Sequence, residues 1–402
     1  MKIIFCSIGG YGFLNPMIGI AKELQSQGND VAFVTNPQFR DMIERNGLKY
    51  LTRKRGSDDD SFSLRYWDRL YSILVQYKHL ELAMAMFKPD MIFGQTMTFG
   101  SFLISERYQI PHVVLGQASF LLPANSKPTN DRSKLSKHRE WHINVYRRFF
   151  NAPRKMSKLE EIDPSQGINP FLGDLFLLRS VQELEPESQY LPPQVKLIGS
   201  CLWEEPLMNP KLNHWLQKAI SSGKPIIYAC QGRTFTTPSF WPHLVQAAKD
   251  MDIMLAASTG RMDVDVELET LSDNILAQPY IPQSLVQKHA SLTIGSGNTT
   301  PVLGSLSAGA PCLLLPNGAE QPDLADCCAT AGVGRVLSSS GLNAKIMADE
   351  IKQVLSSSQM KENAHAMSKA FSAVNSFETA ARLITQTGQR QGNLQATACE
   401  SL

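Results

Sequence analysis

The sequence predicts an α/β protein of two doubly wound, Rossmann-like domains facing each other across a cleft, and three observations predict it. The chain opens on an apolar strand, Ile3 to Ile8, then a glycine turn (GGYGFLNP), a run from Met17 to Gln27 with apolar residues at helical spacing, the stop Gly28, and a strand from Asp30 to Thr35. Strand, helix and strand in this order make a right-handed crossover whose first turn lies at the carboxyl edge of a parallel sheet, where α/β proteins bind ligands. The alternation restarts at Pro225 to Cys230, with a glycine turn at Gln231-Gly232-Arg233-Thr234, a helix over Trp241 to Asp250 and a strand over Ile253 to Ala257. Finally, 402 residues, 43% of them hydrophobic, suffice for two or three domains with sizeable cores.

In chain order, 53–65 is charged and turn-rich and reads as a surface loop, and Leu70 to Met86 has helical spacing. Strands follow at Pro89 to Gln95 and Ile110 to Val114; Phe176 to Ser180 and Gln194 to Gly199 close the first domain. Residues 202–223 read as a connection plus the first helix of the second domain. A last helix is expected near Ser376 to Thr385, and the polar tail from Gly388 should fray. The expected units are 1–202, 203–223, 224–375 and 376–402.

A net charge of +2 predicts no bulk attraction to nucleic acid or to an anionic membrane. Seven cysteines without metal-ligand spacing, several in apolar runs, predict reduced, mostly buried thiols and a cytoplasmic protein with no metal site. The first apolar run is about six residues, too short for a secretory core or a membrane span. Between Lys127 and Lys158 there are ten Lys/Arg against two acids, interleaved with Trp141, Tyr146, Phe149 and Phe150. Three readings stay open for it: a solvated helix pair, an acceptor-binding lid, or a patch making weak membrane-surface or anionic-ligand contacts.

The most informative stretch is Leu276 to Ala325. It carries a turn with an aromatic (Gln278-Pro279-Tyr280-Ile281-Pro282-Gln283), a short helix, a strand at Ser291 to Ile294, and the turn Gly295-Ser296-Gly297-Asn298-Thr299-Thr300. A second helix, the apolar strand Cys312 to Leu315 and a polar loop with Glu320-Gln321 complete it. Strand, glycine turn and helix converge unpaired backbone N–H groups on an anion, so a phosphate is expected here.

This order of parts resembles the nucleotide-sugar signature of the GT-B glycosyltransferases of the UDP-glycosyltransferase type, including bacterial natural-product enzymes. In that family an aromatic before Pro-Gln flanks the nucleobase and a His-Gly-Gly-x-x-Thr turn holds the diphosphate. A Glu in the next helix holds the ribose, and an Asp-Gln pair grips the sugar. Tyr280, Ile281, Gln283, Glu320 and Gln321 follow that plan, with Ser307-Ala308-Gly309-Ala310-Pro311 in register. The middle departs from it. The family's diphosphate histidine falls on Ser296 or Gly295, and its ribose glutamate on or beside Gly304. Arg233, followed by Thr234, stands where the family has Ser or Thr after Gly232; its planar fork suits a phosphate, and a structural salt bridge is the other reading.

The resemblance also sets a catalytic histidine in the first turn and an aspartate that orients it, much as in a Ser-His-Asp triad. Here those positions are Phe13 and Gln95. The resemblance therefore implies transfer of a sugar from a nucleoside-diphosphate sugar, UDP or dTDP, to a hydrophobic small molecule, without cofactor or metal. The acceptor would lie against Tyr11, Phe13, Asn15 and Gln95. The donor would lie against Gly232, Arg233, Thr234, Tyr280, Ile281, Gln283, Ser296, Gly297, Asn298, Thr299, Thr300, Glu320 and Gln321. Two other readings stay open: a binding or helper subunit that has lost turnover, and an enzyme with another reaction in the same cleft.

Overall fold

A computed structural model describes residues 1–51, 60–117, 151–162, 171–185, 188–232, 239–260 and 272–400. Two parallel sheets organise the chain. The first joins β1 (Lys2–Cys6), β2 (Asp30–Val34), β3 (Lys49–Tyr50), β4 (Met91–Gln95), β5 (His112–Gly116), β6 (Leu175–Leu178) and β7 (Val195–Leu197) in the order 3-2-1-4-5-6-7. The second joins β8 (Ile226–Cys230), β9 (Met254–Ser258), β10 (Ile275–Gln278), β11 (Leu292–Gly295), β12 (Cys312–Leu314) and β13 (Gly334–Val336) in the order 10-9-8-11-12-13. Ile3, Ile4, Phe5 and Cys6 of β1 are fully buried, the continuous apolar run of a strand covered on both faces.

Each sheet reverses its strand order at one place, beside β1 and β4 in the first and beside β8 and β11 in the second. Crevices at such switch points are where open α/β sheets take ligands. The turn after β1 and Gln95 at the end of β4 therefore share one crevice, while Gly232 and the 296–298 turn share the other.

Four elements differ from the sequence expectation. Helix α1 spans Tyr11–Ser26, so most of the expected glycine turn is helical, with Pro16 inside it. Proline has no N–H for the carbonyl four residues back, that of Gly12, and its ring crowds that carbonyl. Such a proline normally marks a break; here the freed Gly12 oxygen is taken up from outside the helix, as described below. Gln278 ends strand β10 rather than opening a turn, and β13 carries no sequence signal in its three residues.

The fourth difference is the tail. The last helix runs over Ser376–Glu400 rather than fraying at Gly388. Gly388 serves close packing, since a Cβ there would sit 2.4 Å from the Met1 sulfur. Upstream, Phe377 lies over Gly19, and Ala380, Ala381 and Ile384 are buried in the core of the first sheet with Met17, Ile18 and Ala21 of α1. No helix among the described residues is long and apolar enough to cross a membrane.

Candidate active site

Phe13 lies in the first turn of α1 and is half-buried. Gln95 is 4% exposed and wholly engaged with backbone and a hydroxyl. Its Oε1 accepts from Ile8 N (3.0 Å) and Ser7 Oγ (3.3 Å), and its Nε2 donates to the Phe13 carbonyl at 2.8 Å. One neutral amide thus fastens the end of β1 to the start of α1. A carboxylate could take the Ile8 N–H but has no proton to give Phe13.

At the second switch point, helix α2 (Thr299–Ser307) begins directly after the glycine turn. Gly297 has φ of +88°, the left-handed region, and a Cβ there would stand 3.0 Å from the Gln321 carbonyl, so the turn needs glycine. Ser296 is fully buried and donates to Gln231 O (3.3 Å), tying the two glycine turns together. Around it, Asn298 Oδ1, Thr299 Oγ1 and Gln321 Nε2 are buried without a hydrogen-bond partner among the described residues. The orphaned donors among them, Thr299 Oγ1 and Gln321 Nε2, at a helix N-terminus fit a polar, anionic ligand, whereas Asn298 Oδ1 can only accept. Gln321 Oε1 meanwhile accepts from Asn317 N and Gly318 N at 2.9 and 3.2 Å, holding the polar loop in place.

The two halves meet between these crevices. The Tyr11 and Tyr280 rings lie 5.2 Å apart at 32°, and Tyr11 stands edge-on to Phe39. The Tyr280 hydroxyl donates to Glu204, whose carboxylate also accepts from Gln283 N (3.3 Å), Ser284 N (3.0 Å) and Ser284 Oγ (2.6 Å). Burial, then the Glu204 charge, pushes the Tyr280 phenol up. A 220 Å³ cavity beside the tyrosines is lined by Asn15, Met42, Arg45 and Glu205 among others. The structure thus groups Tyr11 and Asn15, expected on the acceptor side, with Tyr280 of the donor set. Ile281 is 1% exposed within the core of the second sheet, leaving only its backbone to a donor.

Thr300 supplies the other junction. Its hydroxyl donates to the Gly12 carbonyl (3.3 Å), the oxygen that Pro16 leaves free, and accepts from Arg179 Nη1 (3.1 Å). Arg179 Nη1 also reaches Gly12 O at 3.4 Å, while Nε and Nη2 donate to Ser200 O at 3.2 and 3.0 Å.

No family model matches the chain. Individual relatives do. It is 21% identical over 427 residues to 4'-demethylrebeccamycin synthase of Lentzea aerocolonigenes, covering 95% of this chain and 98% of that one. It superposes on the glycotransferase of kitacinnamycin with a TM-score of 0.75 at 17% identity, covering 96% of this chain and 98% of the other. Glycosyltransferase VinC, solved in complex with DTDP, gives 0.73 at 16% identity over 97% and 100% of the two chains. The chain is a relative of the GT-B glycosyltransferases of natural-product type.

The position that the resemblance gives to the ribose glutamate is filled in this chain. A Cβ on Gly304 would stand 2.1 Å from Gln287 Oε1 and 2.8 Å from Gln283 Nε2. Gln287 Nε2 donates to Pro301 O at 2.8 Å, and Gln283 Nε2 donates to Thr300 O at 3.2 Å. The Pro-Gln glutamine therefore braces the start of α2. Arg233 and Thr234 lie outside the described residues, as does 127–150 of the basic insert. Of the insert's described cations, Arg154 is 3% exposed and forks onto Glu106 at 2.5 and 2.7 Å, a structural pair.

Glu320 just precedes helix α3 (Gln321–Thr330), and its buried carboxylate accepts its own N–H and that of Thr299. Burial raises its pKa from the ordinary 4.5 to about 7, against those two hydrogen bonds. A carboxyl whose folded value lies above its unfolded one favours folding while protonated. That contribution is complete below about pH 4.5 and is lost as pH rises to 7, roughly 3 kcal/mol in all. Denaturant titrations of wild type and Glu320→Gln should therefore diverge between pH 4.5 and 7.5, the variant gaining by about that amount. A difference that stays constant with pH would refute the assignment.

Two residues here carry no motif. Arg179 follows the buried strand Leu175–Leu178 and Glu204 sits in the connection. A charge ending an apolar strand, and an acid ahead of a proline, were the only signals available.

Proposed function

We propose that this glycosyltransferase moves a sugar from a UDP- or dTDP-sugar to a hydrophobic small-molecule acceptor without a histidine–aspartate proton relay. The reading rests on one observation above the others. Gln95 spends its carbonyl oxygen on Ile8 and Ser7 and an N–H on Phe13, so the side chain beside the first turn is a brace rather than a base. A benzyl group at position 13 accepts no proton. The acceptor must then need little deprotonation: an amine or amide, an acidic hydroxyl, or an electron-rich carbon.

Support on the donor side comes from the orphaned Thr299 hydroxyl and Gln321 amide at the start of α2, and from the DTDP complex of VinC on the same fold. With the Thr299 N–H already given to Glu320, the Thr299 hydroxyl, the Gln321 amide and the α2 dipole would stabilise the departing diphosphate, whose negative charge grows as the glycosidic bond breaks. Glu320, whose pKa of about 7 keeps part of the population protonated at neutrality, can in that form both donate to and accept from a sugar hydroxyl.

The test is a panel of UDP- and dTDP-sugars against an aromatic amine, a phenol, an electron-rich arene and an aliphatic alcohol, read by mass spectrometry. Product with the first three and little with the alcohol is expected. Efficient transfer to the alcohol would sink the missing-base reading. Nucleotide binding without any product would favour a helper subunit instead.

A further inference from the structure

We infer that Arg179 is the cation that grips the donor's diphosphate, reaching across from the N-terminal half to the start of α2. The inference rests on the nucleotide-sugar reading above and adds to it the residue that supplies positive charge.

Arg179 is 1% exposed, one of the largest fully buried side chains in the molecule. Every oxygen it meets is neutral: the carbonyls of Ser200 and Gly12 and the Thr300 hydroxyl. Among the described residues no carboxylate faces it, and a thiol, Cys201, is the sole ionisable group that perturbs it. Burying a guanidinium without a counter-charge is costly, and proteins retain such a group where an anion completes it. Burial accordingly draws its pKa down to about 10, the direction expected for an uncompensated cation.

Its position says which anion. Nη1 contacts Thr300, the second residue of α2, whose preceding hydroxyl at Thr299 is orphaned and whose N-terminus lacks the histidine of the resembled turn. Four hydrogen bonds, two of them to Ser200 O, orient the guanidinium and leave one Nη2 proton without a partner among the described residues. A strut between halves needs no charge at all; Thr300 already bonds Gly12 directly. What a neutral strut could not do is offset the two negative charges of a leaving diphosphate, which a planar fork does well. Because the same nitrogen touches the acceptor-side helix through Gly12, loosening of the Gly12–Thr300 contact would expose the fork to a ligand on α2.

Calorimetric titration of wild type, Arg179→Met and Arg179→Lys with dTDP, UDP and inorganic pyrophosphate tests this. Methionine removes the buried charge, so folding should be kept, while affinity for dTDP or UDP should fall roughly 10- to 100-fold, the worth of charge-assisted bonds to a phosphate. Lysine keeps the charge but not the fork and should bind roughly tenfold more weakly than wild type. Equal nucleotide affinity in wild type and Arg179→Met overturns the inference and leaves the donor reading standing. If wild type ignores both nucleotides yet binds pyrophosphate through Arg179, the donor reading fails and the cation site stands. Binding of none of the three overturns both. Should the methionine variant not fold, undiminished nucleotide affinity in the lysine variant overturns the bidentate grip.

Discussion

Replacing Phe13 by histidine and Gln95 by aspartate together is expected to raise transfer to an aliphatic hydroxyl by about 100-fold at neutral pH, the lower range of what a positioned general base contributes. Each single change should do far less. Phe13→His alone adds an imidazole whose neighbour, Gln95, already directs its amide to Ile8, Ser7 and the Phe13 carbonyl and cannot hold the ring. Gln95→Asp alone removes the proton given to the Phe13 carbonyl and buries a carboxylate where the glutamine is 4% exposed, at a cost of about 1–3 kcal/mol. In the pair, the aspartate keeps the Ile8 N–H and gains an imidazole N–H. The gain should therefore be strongly non-additive, as for residues that act as one unit. The ratio of double-variant to wild-type initial rates should rise between pH 5.5 and 8.5 through the imidazole range, the Glu320 titration being common to both. A folded double variant with no gain over wild type would mean that residue 13 does not face the acceptor.

The fold was legible because it depends on runs of buried residues. Ile3 to Cys6, Met91 to Gln95 and Ile226 to Cys230 announce parallel strands by composition alone, and the glycine turns after the first and the last announce the crevices. What was hidden depends on partners distant in sequence. Pro16 reads as the end of a turn because its effect on the Gly12 carbonyl is local, whereas the groups that satisfy that carbonyl, Arg179 and Thr300, lie 167 and 288 residues further on. Gly388 reads as a fraying point because nothing near it in sequence shows Met1 pressing on it. The same holds in the site. The turn at 295–300 is visible as a motif, but that its Thr300 meets a buried arginine from the other half is a tertiary fact.

Gly304→Glu carries the second large effect. The resemblance reads this substitution as a repair that returns the ribose carboxylate to its helix. Packing reads it as damage. The new Cβ would fall 2.1 Å from Gln287 Oε1 and 2.8 Å from Gln283 Nε2, well inside contact distance. Gln287 is 3% exposed and has nowhere to retreat without surrendering its bond to Pro301 O. Gln283 would lose Thr300 O, loosening the first turn of α2 at the residue that joins the two halves. Overpacking together with a buried amide left unpaired amounts to roughly 3 kcal/mol or more. Denaturant unfolding should show that loss, and dTDP affinity should fall rather than rise. Gln287→Ala opens the space, so in that background the cost of Gly304→Glu should shrink by at least half. A stable Gly304→Glu with tighter nucleotide binding would mean that the two glutamines yield easily and that the helix still accepts its family's ribose grip.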